Sequence, residues 1–365
     1  MRSALGTCNR VRLLACIGAV IALEAAFVGT CLGRVLYVDD DAQPGTGDGS
    51  WLQPFQLIGE GMVAAVSGDT VAVLPGLYSE VQYVDMHDPL SMNRAAVVMK
   101  DGVMLRSTAG PDSTTIGAIG CQAAVYFEGC GPQTVFTGFN VENEGLGWGL
   151  RTGVLCYASS PVIEANTIDV WAHGVYSKEL SSPTIRNNRV YGSVVFWDSG
   201  GMVVGNEVES EVGVWSDGLS PAPLTIESNT IGVLPRAPGG RWSSHGIYLA
   251  GNPCDVAVID NTIQGKDIGA MLCWGTLHGN RFTGNALNIE IIEAQAYCSP
   301  WEDIDAEGNW WGTTDPLEID AKIVDCYDDP SLESCVDFDP WCLDEACTQV
   351  VVSEFSWGAI KALYR

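Results

Sequence analysis

The most frequent pattern along the chain is a short apolar–polar alternation that ends in an asparagine and a β-branched residue. It reads PVIEANTI from residue 161, SPTIRNNRV from 182 and PLTIESNTI from 223, and GMVVGNEV, VAVIDNTI and GTLHGNRF follow the same frame. The last asparagines of the six copies are Asn166, Asn188, Asn206, Asn229, Asn261 and Asn280. Their steps of 22, 18, 23, 32 and 19 residues are typical of a solenoid whose coils tolerate loops at some corners.

A second short segment recurs between the copies of the first. It reads GVLCY from 153, GVYSK from 174, VVFWD from 194, GVWSD from 213, GIYLA from 246 and GAMLC from 269. Side chains that alternate between two faces are typical of a strand, and parallel stacked copies lie about 4.8 Å apart. We therefore predict coils of two or three strands each, stacked into one solenoid.

The recurring asparagine has two expected roles at a coil corner. A sharp corner requires a residue with left-handed backbone, which asparagine tolerates best after glycine. Stacked amide side chains can also hydrogen-bond to the equivalent amides above and below. The alternative, that these asparagines are ordinary loop residues, does not explain six occurrences in one hydrophobic frame.

Three further segments extend the pattern into a family resemblance. Residues 37–80 contain a strand, a glycine-rich loop, an amphipathic helix at about 55–66 and the phrase GDTVAVLPGLY; residues 101–116 and 309–341 also match family phrases. The chain resembles secreted right-handed parallel β-helix proteins of the pectate-lyase-like superfamily. The resemblance implies an all-β fold, a single right-handed parallel β-helix with a short N-terminal capping helix. It implies no single activity, since this fold hosts lyases, hydrolases and binding proteins.

The chain divides into five predicted segments. Basic residues precede an apolar run in 1–33, which indicates a signal peptide; a membrane anchor is the alternative. The N-terminal strand and capping helix occupy 34–80, the coils 81–300, an acidic, cysteine-containing closing segment 301–347, and a strand or sorting tail 348–365. Because no later segment is apolar enough to span a bilayer, we expect a secreted protein, extracellular, periplasmic or at the cell surface.

Charge and cysteines narrow the expected partners and compartment. The formal net charge is −27, which excludes nucleic acid as a partner because phosphate binding needs clustered Lys and Arg. An acidic polysaccharide would need a bridging cation such as calcium. Ten of the 13 cysteines follow the signal segment, so disulfides are expected in an exported chain. Local loops could be closed by Cys121 with Cys130, or within Cys298, Cys326, Cys335, Cys342 and Cys347.

The second recurring segment predicts a binding face. If the residue after its glycine points inward, the outward column reads Leu155, Tyr176, Phe196, Trp215, Tyr248 and Met271. A neighbouring column reads Tyr157, Lys178, Asp198, Asp217, Ala250 and Cys273. Aromatic rings beside charged groups suit an extended sugar chain, and in lyases and hydrolases of the resembling superfamily the cleft lies on this face. We predict Tyr176, Phe196, Trp215, Tyr248 and Lys178 as binding residues; the alternative is that these rings only cover the sheet.

Catalytic and metal-binding candidates are fewer. Asp198 and Asp217 would occupy equivalent positions in neighbouring coils, close enough for an acid/base pair or for calcium. The NTD, GHG and RIK signatures of polygalacturonase-type hydrolases are missing. In the acidic closing segment, Asp303, Asp305, Asp328 and Asp329 are weak calcium candidates, against a solvated acidic surface.

These patterns lead to one functional expectation and two alternatives. We expect a monomeric extracellular β-helix protein that binds carbohydrate, such as a polysaccharide or cell-surface glycan, or another surface partner along a strand face, with calcium as the conceivable cofactor. The alternatives are a polysaccharide lyase or glycoside hydrolase, and a purely structural surface module.

Overall fold

The computed structural model describes residues 33–87, 93–144, 151–218, 220, 222–232, 243–250, 255–292, 303–332 and 334–350. From Arg34 onward the chain forms one compact unit. The predicted signal segment up to residue 32, the tail from 351, and Cys298 lie outside the described residues. No helix in the described part of the chain is long and apolar enough to cross a membrane.

Almost all regular structure is β-strand, as the repeat predicted. The strands are β1 (Val35–Val38), β2 (Thr70–Val73), β3 (Gly76–Tyr78), β4 (Gln82–Tyr83), β5 (Arg94–Val98), β6 (Met104–Ser107), β7 (Thr114–Ala118), β8 (Ala123–Glu128), β9 (Val135–Thr137), β10 (Asn140–Asn143), β11 (Thr152–Tyr157), β12 (Val162–Glu164), β13 (Thr167–Lys178), β14 (Thr184–Arg186), β15 (Arg189–Trp197), β16 (Gly201–Val204), β17 (Glu207–Glu209), β18 (Val212–Asp217), β19 (Leu224–Glu227), β20 (Thr230–Gly232), β21 (His245–Leu249), β22 (Val256–Ile259), β23 (Thr262–Gln264), β24 (Ile268–Leu272), β25 (Thr276–His278), β26 (Arg281–Thr283), β27 (Leu287–Ile291), β28 (Ile304–Asp305), β29 (Ile323–Val324) and β30 (Val336–Asp337). Two short helices are α1 (Ile58–Ala64) and α2 (Pro316–Asp320).

The strands form two long sheets that wind as a parallel β-helix. One sheet has twelve strands, in the order β1-β2-β6-β9-β12-β14-β16-β19-β22-β25-β28-β30. The other has eighteen strands, and two sets of them run side by side: an asparagine arm (β10, the start of β13 and β15, β17, β20, β23, β26) and a glycine arm (β8, β11, the end of β13 and β15, β18, β21, β24, β27). Pairing between successive coils is parallel, and β4 with β5 is an antiparallel pair. The predicted single right-handed parallel β-helix is confirmed.

The interior consists of stacked aliphatic side chains in register. In the twelve-stranded sheet, for example, Ile163 pairs with Ile185 and Ile185 with Val203, and all three are fully buried. Burying apolar surface contributes about 25 cal/mol per Å². This continuous core holds the coils together.

The predicted asparagine ladder is present and extends by one coil to Asn309. In each step, the backbone N–H and the Nδ2 group of one asparagine donate to Oδ1 of the asparagine in the next coil, at 2.7–3.1 Å. Asn206, for example, also donates from Nδ2 to the carbonyl of Ile185 at 2.9 Å. Each buried amide is therefore satisfied by neighbouring coils.

The predicted left-handed backbone of these asparagines was wrong. The positive φ belongs to the preceding residue, such as Ala165 (54°), Ser228 (57°) and Asp260 (55°). One residue of the corner takes the left-handed turn with its side chain directed away from the core. The next residue, the asparagine, then turns its amide inward.

Helix α1 covers the N-terminal end, as expected, although it is shorter than the predicted 55–66. Its residues Ile58 and Met62 are buried against the first coils. The Glu80 carboxylate accepts from the first backbone N–H groups, including that of Gly59 at 2.9 Å, so it satisfies donors that the helix leaves open. Nearby, Asp69 accepts from Arg34 at 2.7 Å, and these hydrogen bonds lower the pKa of Asp69 to about 2.

Disulfides occur near the C-terminal end. Cys326 pairs with Cys335, and Cys342 with Cys347, within the group that was expected to close local loops. The suggested pairing of Cys121 with Cys130 was wrong, because both thiols are free and buried. They belong to the packed core near β8.

Candidate functional site

The glycine arm carries the predicted binding face. Parallel register aligns Tyr176 with Val195, Val195 with Trp215, and Trp215 with Tyr248. Tyr176, Trp215 and Tyr248 are partly exposed and point away from the core. We call these three residues, together with Lys178 and Asp217, the aromatic face.

Phe196 does not belong to this face, and its prediction as a binding residue was wrong. It pairs with Ser177 and Ser216, is fully buried and packs in the core. Strand β13 contains Gly174, which has no counterpart in β15, and the register shifts there. The sequence frame treated β15 as if it had a residue equivalent to Gly174, and it therefore placed Phe196 outward. In the register of the structure, Val195 takes the outward position.

The same shift corrects the charged column. Lys178 aligns with Trp197, and Trp197 with Asp217. Trp197, 42% exposed, is the outward residue that the sequence frame missed. The Lys178 ammonium lies 5.3 Å from the ring centre of Tyr157, a cation–π contact that orders the lysine.

Asp198 and Asp217 do not form the predicted pair at equivalent positions. Asp198 follows the end of β15 with a φ of 49°, and its backbone N–H donates to the carbonyl of Asp217 at 3.0 Å. Asp217 itself ends β18 and shares its file with Trp197. The two residues therefore do not occupy equivalent positions, but both carboxylates lie beside Gly218: its N–H donates to Asp217 Oδ1 at 2.7 Å, and a Cβ atom there would clash with Asp198 Oδ1. An acid/base or calcium role for them stays a prediction.

Ring contacts order the aromatic face. The Trp215 and Tyr248 ring centres are 6.1 Å apart in an edge-to-face arrangement, and His173 and His245 lie 5.2 and 5.6 Å from Tyr176 and Tyr248. Burial lowers the pKa of both histidines, so they are neutral at neutral pH. Burial, followed by the charge of Asp217, raises the pKa of Tyr248.

Polar atoms on this face are left without partners within the described chain. Trp215 Nε1 and His173 Nδ1 are buried atoms with no hydrogen-bond partner. Each such atom costs about 1–3 kcal/mol unless a ligand or water satisfies it. These two atoms are covered by the surrounding chain, so what the face offers to a ligand is its ring surfaces.

Neighbouring coils limit the extent of the aromatic face. Leu155, predicted in the same column, points outward but is buried with Tyr126 and Met86 in a small apolar cluster over β8. In those coils the alternative interpretation, that side chains cover the sheet, is correct. Tyr176, although partly exposed, packs against the same cluster and marks the edge of the face.

The calcium candidates of the closing segment have separate contacts. Asp305 lies 3.1 Å from His278, Asp303 accepts from the Cys335 N–H at 3.2 Å, and Asp329 accepts from Ser331 at 2.9 Å. Asp328 lies with Asp329 in the turn that follows Asp325. Among the described residues, the one set of three potential metal ligands within 4.8 Å of one another is Asp39, Asp40 and Asp41, far from these candidates in sequence. Calcium stays a prediction.

Comparison with known proteins identifies the class of fold. No protein-family model and no curated protein matches the chain. Among solved structures, the chain is similar to pectate lyase Pel9A, with a TM-score of 0.51, 15% identity and 89% of both chains covered. It is also similar to ORF18 of Geobacillus virus E2, with a TM-score of 0.52 and 11% identity over 94% of this chain and 66% of that one. At such identities the likeness defines a fold, the right-handed parallel β-helix, and leaves activity open.

Proposed function

We propose that this protein is an extracellular carbohydrate-binding β-helix protein, and that its aromatic face holds an extended glycan. The observation that carries the proposal is the alignment of Tyr176, Trp215 and Tyr248 on one side of the glycine arm. Lys178 and Asp217 flank them. Rings and charged groups in this arrangement match the two kinds of surface that a sugar ring presents.

The aromatic side chains of this face are held in place before a ligand binds. Aromatic side chains bring a large apolar surface together with a polar group that seeks a partner. Here the edge-to-face contact of Trp215 with Tyr248 already fixes both rings. A sugar that stacks on them therefore loses little free energy to side-chain ordering.

Two further observations support the setting. The disulfides Cys326–Cys335 and Cys342–Cys347 are typical of proteins outside the cytoplasm. A solved structure with a similar fold is that of a pectate lyase, a protein whose name implies an anionic glycan. For this chain, with a net charge of −27, a neutral glycan is the better partner unless calcium bridges the charges.

The test is a glycan array probed with the wild-type protein and with the double variant Trp215→Ala/Tyr248→Ala, with and without calcium. We expect the double variant to lose at least about ten-fold in affinity for the retained glycan, the loss that 1.4 kcal/mol produces. Trp51→Ala is the matched control, because Trp51 is 63% exposed in the N-terminal segment. Equal retention of all three proteins would contradict the proposal.

Reducing ends and unsaturated products are measured in the same incubations. Under the binding proposal we expect none above background. Product formation that Asp217→Asn abolishes would instead identify a lyase or hydrolase.

A further inference from the structure

A second concave surface lies on the asparagine arm, away from the aromatic face. Strands β17, β20, β23 and β26 form its floor, and its volume is about 560 Å³, within the range of ligand pockets. We call it the polar groove. Its lining includes Glu207, Glu209, Thr230, Gly232, Gln264 and Thr283.

One wall of the polar groove is held in place by ion pairs. Arg189, on the adjacent strand β15, lies 3.5 Å from Glu207 and 3.2 Å from Glu209. The same guanidinium lies 5.0 Å from the ring centre of Tyr191. The register of β15 with β17 places Tyr191 beside Glu209. Two carboxylates and a ring are thereby fixed at the edge of the groove.

Aromatic surface continues beyond this wall. Trp171, on β13, is 83% exposed, an unusual position for so large an apolar side chain. It lies two residues after Asp169, which pairs with Tyr191. Trp171 therefore lies one coil before Tyr191 and is offset from it by two residues along the strand direction.

The floor is open because small residues occupy it. A Cβ atom on Gly232 would meet its nearest neighbour, the Gln264 amide, at 3.8 Å. Gly232 also lacks a positive φ, so its backbone accepts any side chain. Glycine is thus not required here by the fold, and its absence of a side chain leaves space for a ligand.

The lining selects among classes of ligand. A peptide strand cannot add to this sheet through its backbone, because β20 is already paired with β17 and β23. An anion is repelled by Glu207 and Glu209, and a compact cation would have to displace Arg189 from both. Carboxylate, hydroxyl and amide groups beside aromatic rings are suited to the hydroxyls and C–H faces of a neutral sugar.

We propose that the polar groove binds a neutral oligosaccharide at a second site, separate from the aromatic face. Glu207 and Glu209 accept from its hydroxyls, Gln264 accepts from or donates to them, and Tyr191 and Trp171 add ring surface beyond the wall of the groove. This proposal is independent of the first, since it is carried by different strands and different residues.

The test is isothermal titration with cellohexaose, xylohexaose and mannohexaose, against hexagalacturonate and chitosan hexamer as anionic and cationic comparators. It is performed in the Trp215→Ala/Tyr248→Ala background, so that the aromatic face does not contribute. We expect at least one neutral hexamer to bind in preference to both comparators. Gly232→Leu should weaken that binding at least ten-fold.

The control is Thr225→Leu, which places the same leucine side chain at an outward position of β19 in the other sheet. It should leave affinity and melting temperature unchanged. Should Gly232→Leu melt earlier than the control, Gln264→Ala replaces it, because Gln264 is exposed and its truncation leaves no cavity. The proposal is overturned if no neutral hexamer binds, if a charged comparator binds best, or if affinity is unchanged in the stable groove variant.

Discussion

Asn206 and Glu207 are consecutive residues with opposite surroundings. Asn206 faces inward, is 2% exposed and lies in a file of seven asparagines. Glu207 faces outward, and the residues aligned with it are Arg189 and Thr230. The inner file repeats one residue type, whereas the outer file mixes Thr, Arg and Glu.

The difference has a physical cause. An inward amide is buried away from water and is satisfied by the equivalent asparagines and by a backbone carbonyl of the neighbouring coil, as Asn206 is by that of Ile185. An unsatisfied buried group costs about 1–3 kcal/mol. An outward side chain has water as an alternative partner. Identity between coils is therefore enforced inside the solenoid and left free outside it, where binding surfaces can develop.

The largest effect is expected from breaking the inner file. Asn206→Ala removes the acceptor for Asn188 and leaves several buried groups without partners. We expect the free energy of unfolding to fall by about 4 kcal/mol, measured by chemical denaturation. Thr225→Ala, on an outward position of a neighbouring strand, is the control and should change it by less than about 0.5 kcal/mol. If Asn206→Ala also changed the free energy of unfolding by less than about 0.5 kcal/mol, the inner and outer files would not differ in their contribution to stability.

An intermediate effect is expected from a buried group that has no repeat. Lys266 is 2% exposed and donates to the Ser210 carbonyl at 2.6 Å, and burial lowers its pKa from 10.5 to about 8. Between these values the unfolded chain binds more protons than the folded one, so the stability contributed by Lys266 rises with pH from about 8 to 10.5.

The corresponding variant is Lys266→Met, which lacks this titration. Relative to the variant, the wild type should gain about 2 kcal/mol between pH 8 and pH 10, measured by urea denaturation at several pH values. Parallel pH profiles for the two proteins would show that Lys266 titrates in the folded state as it does in the unfolded chain.

The smallest effect is expected from an outward ion pair. Arg186 lies 2.6 Å from Glu164, and both side chains are partly exposed. Arg186→Gln should lower the free energy of unfolding by less than about 1 kcal/mol, and about 1 M salt should reduce even that difference because it screens exposed charges. A loss comparable to that of Asn206→Ala would mean that outer files also govern stability.

The fold could be predicted from the sequence because its inner residues repeat. An asparagine equivalent to Asn188 and an apolar residue equivalent to Ile185 occur in each copy of the first recurring segment, so the pattern can be recognised from the sequence alone. The position of Phe196 could not be predicted, because a single residue without a counterpart, Gly174, reverses which side chains point inward. The same shift hid Trp197 and separated Asp198 from Asp217.

The polar groove could not be predicted for a related reason. No single residue type is common to its lining residues. A step of 32 residues also separates Asn229 from Asn261, so only the register of the structure reveals that Gly232 lies beside Gln264. The available signal was the outward position one residue after each buried Ile or Val of the asparagine arm. Glu209, Gly232 and Gln264 all occupy it.

Each amide from Asn166 to Asn280 donates to the asparagine of the next coil, accepts from the preceding coil through Oδ1, and also donates to a backbone carbonyl of the preceding coil. A whole coil therefore presents the same acceptor to the coil before it and the same donors to the coil after it. Excising one complete repeat and joining the flanking coils would restore the interrupted bonds, whereas replacing one asparagine would not. Gain and loss of entire turns is thus the change in chain length that this architecture accommodates most readily.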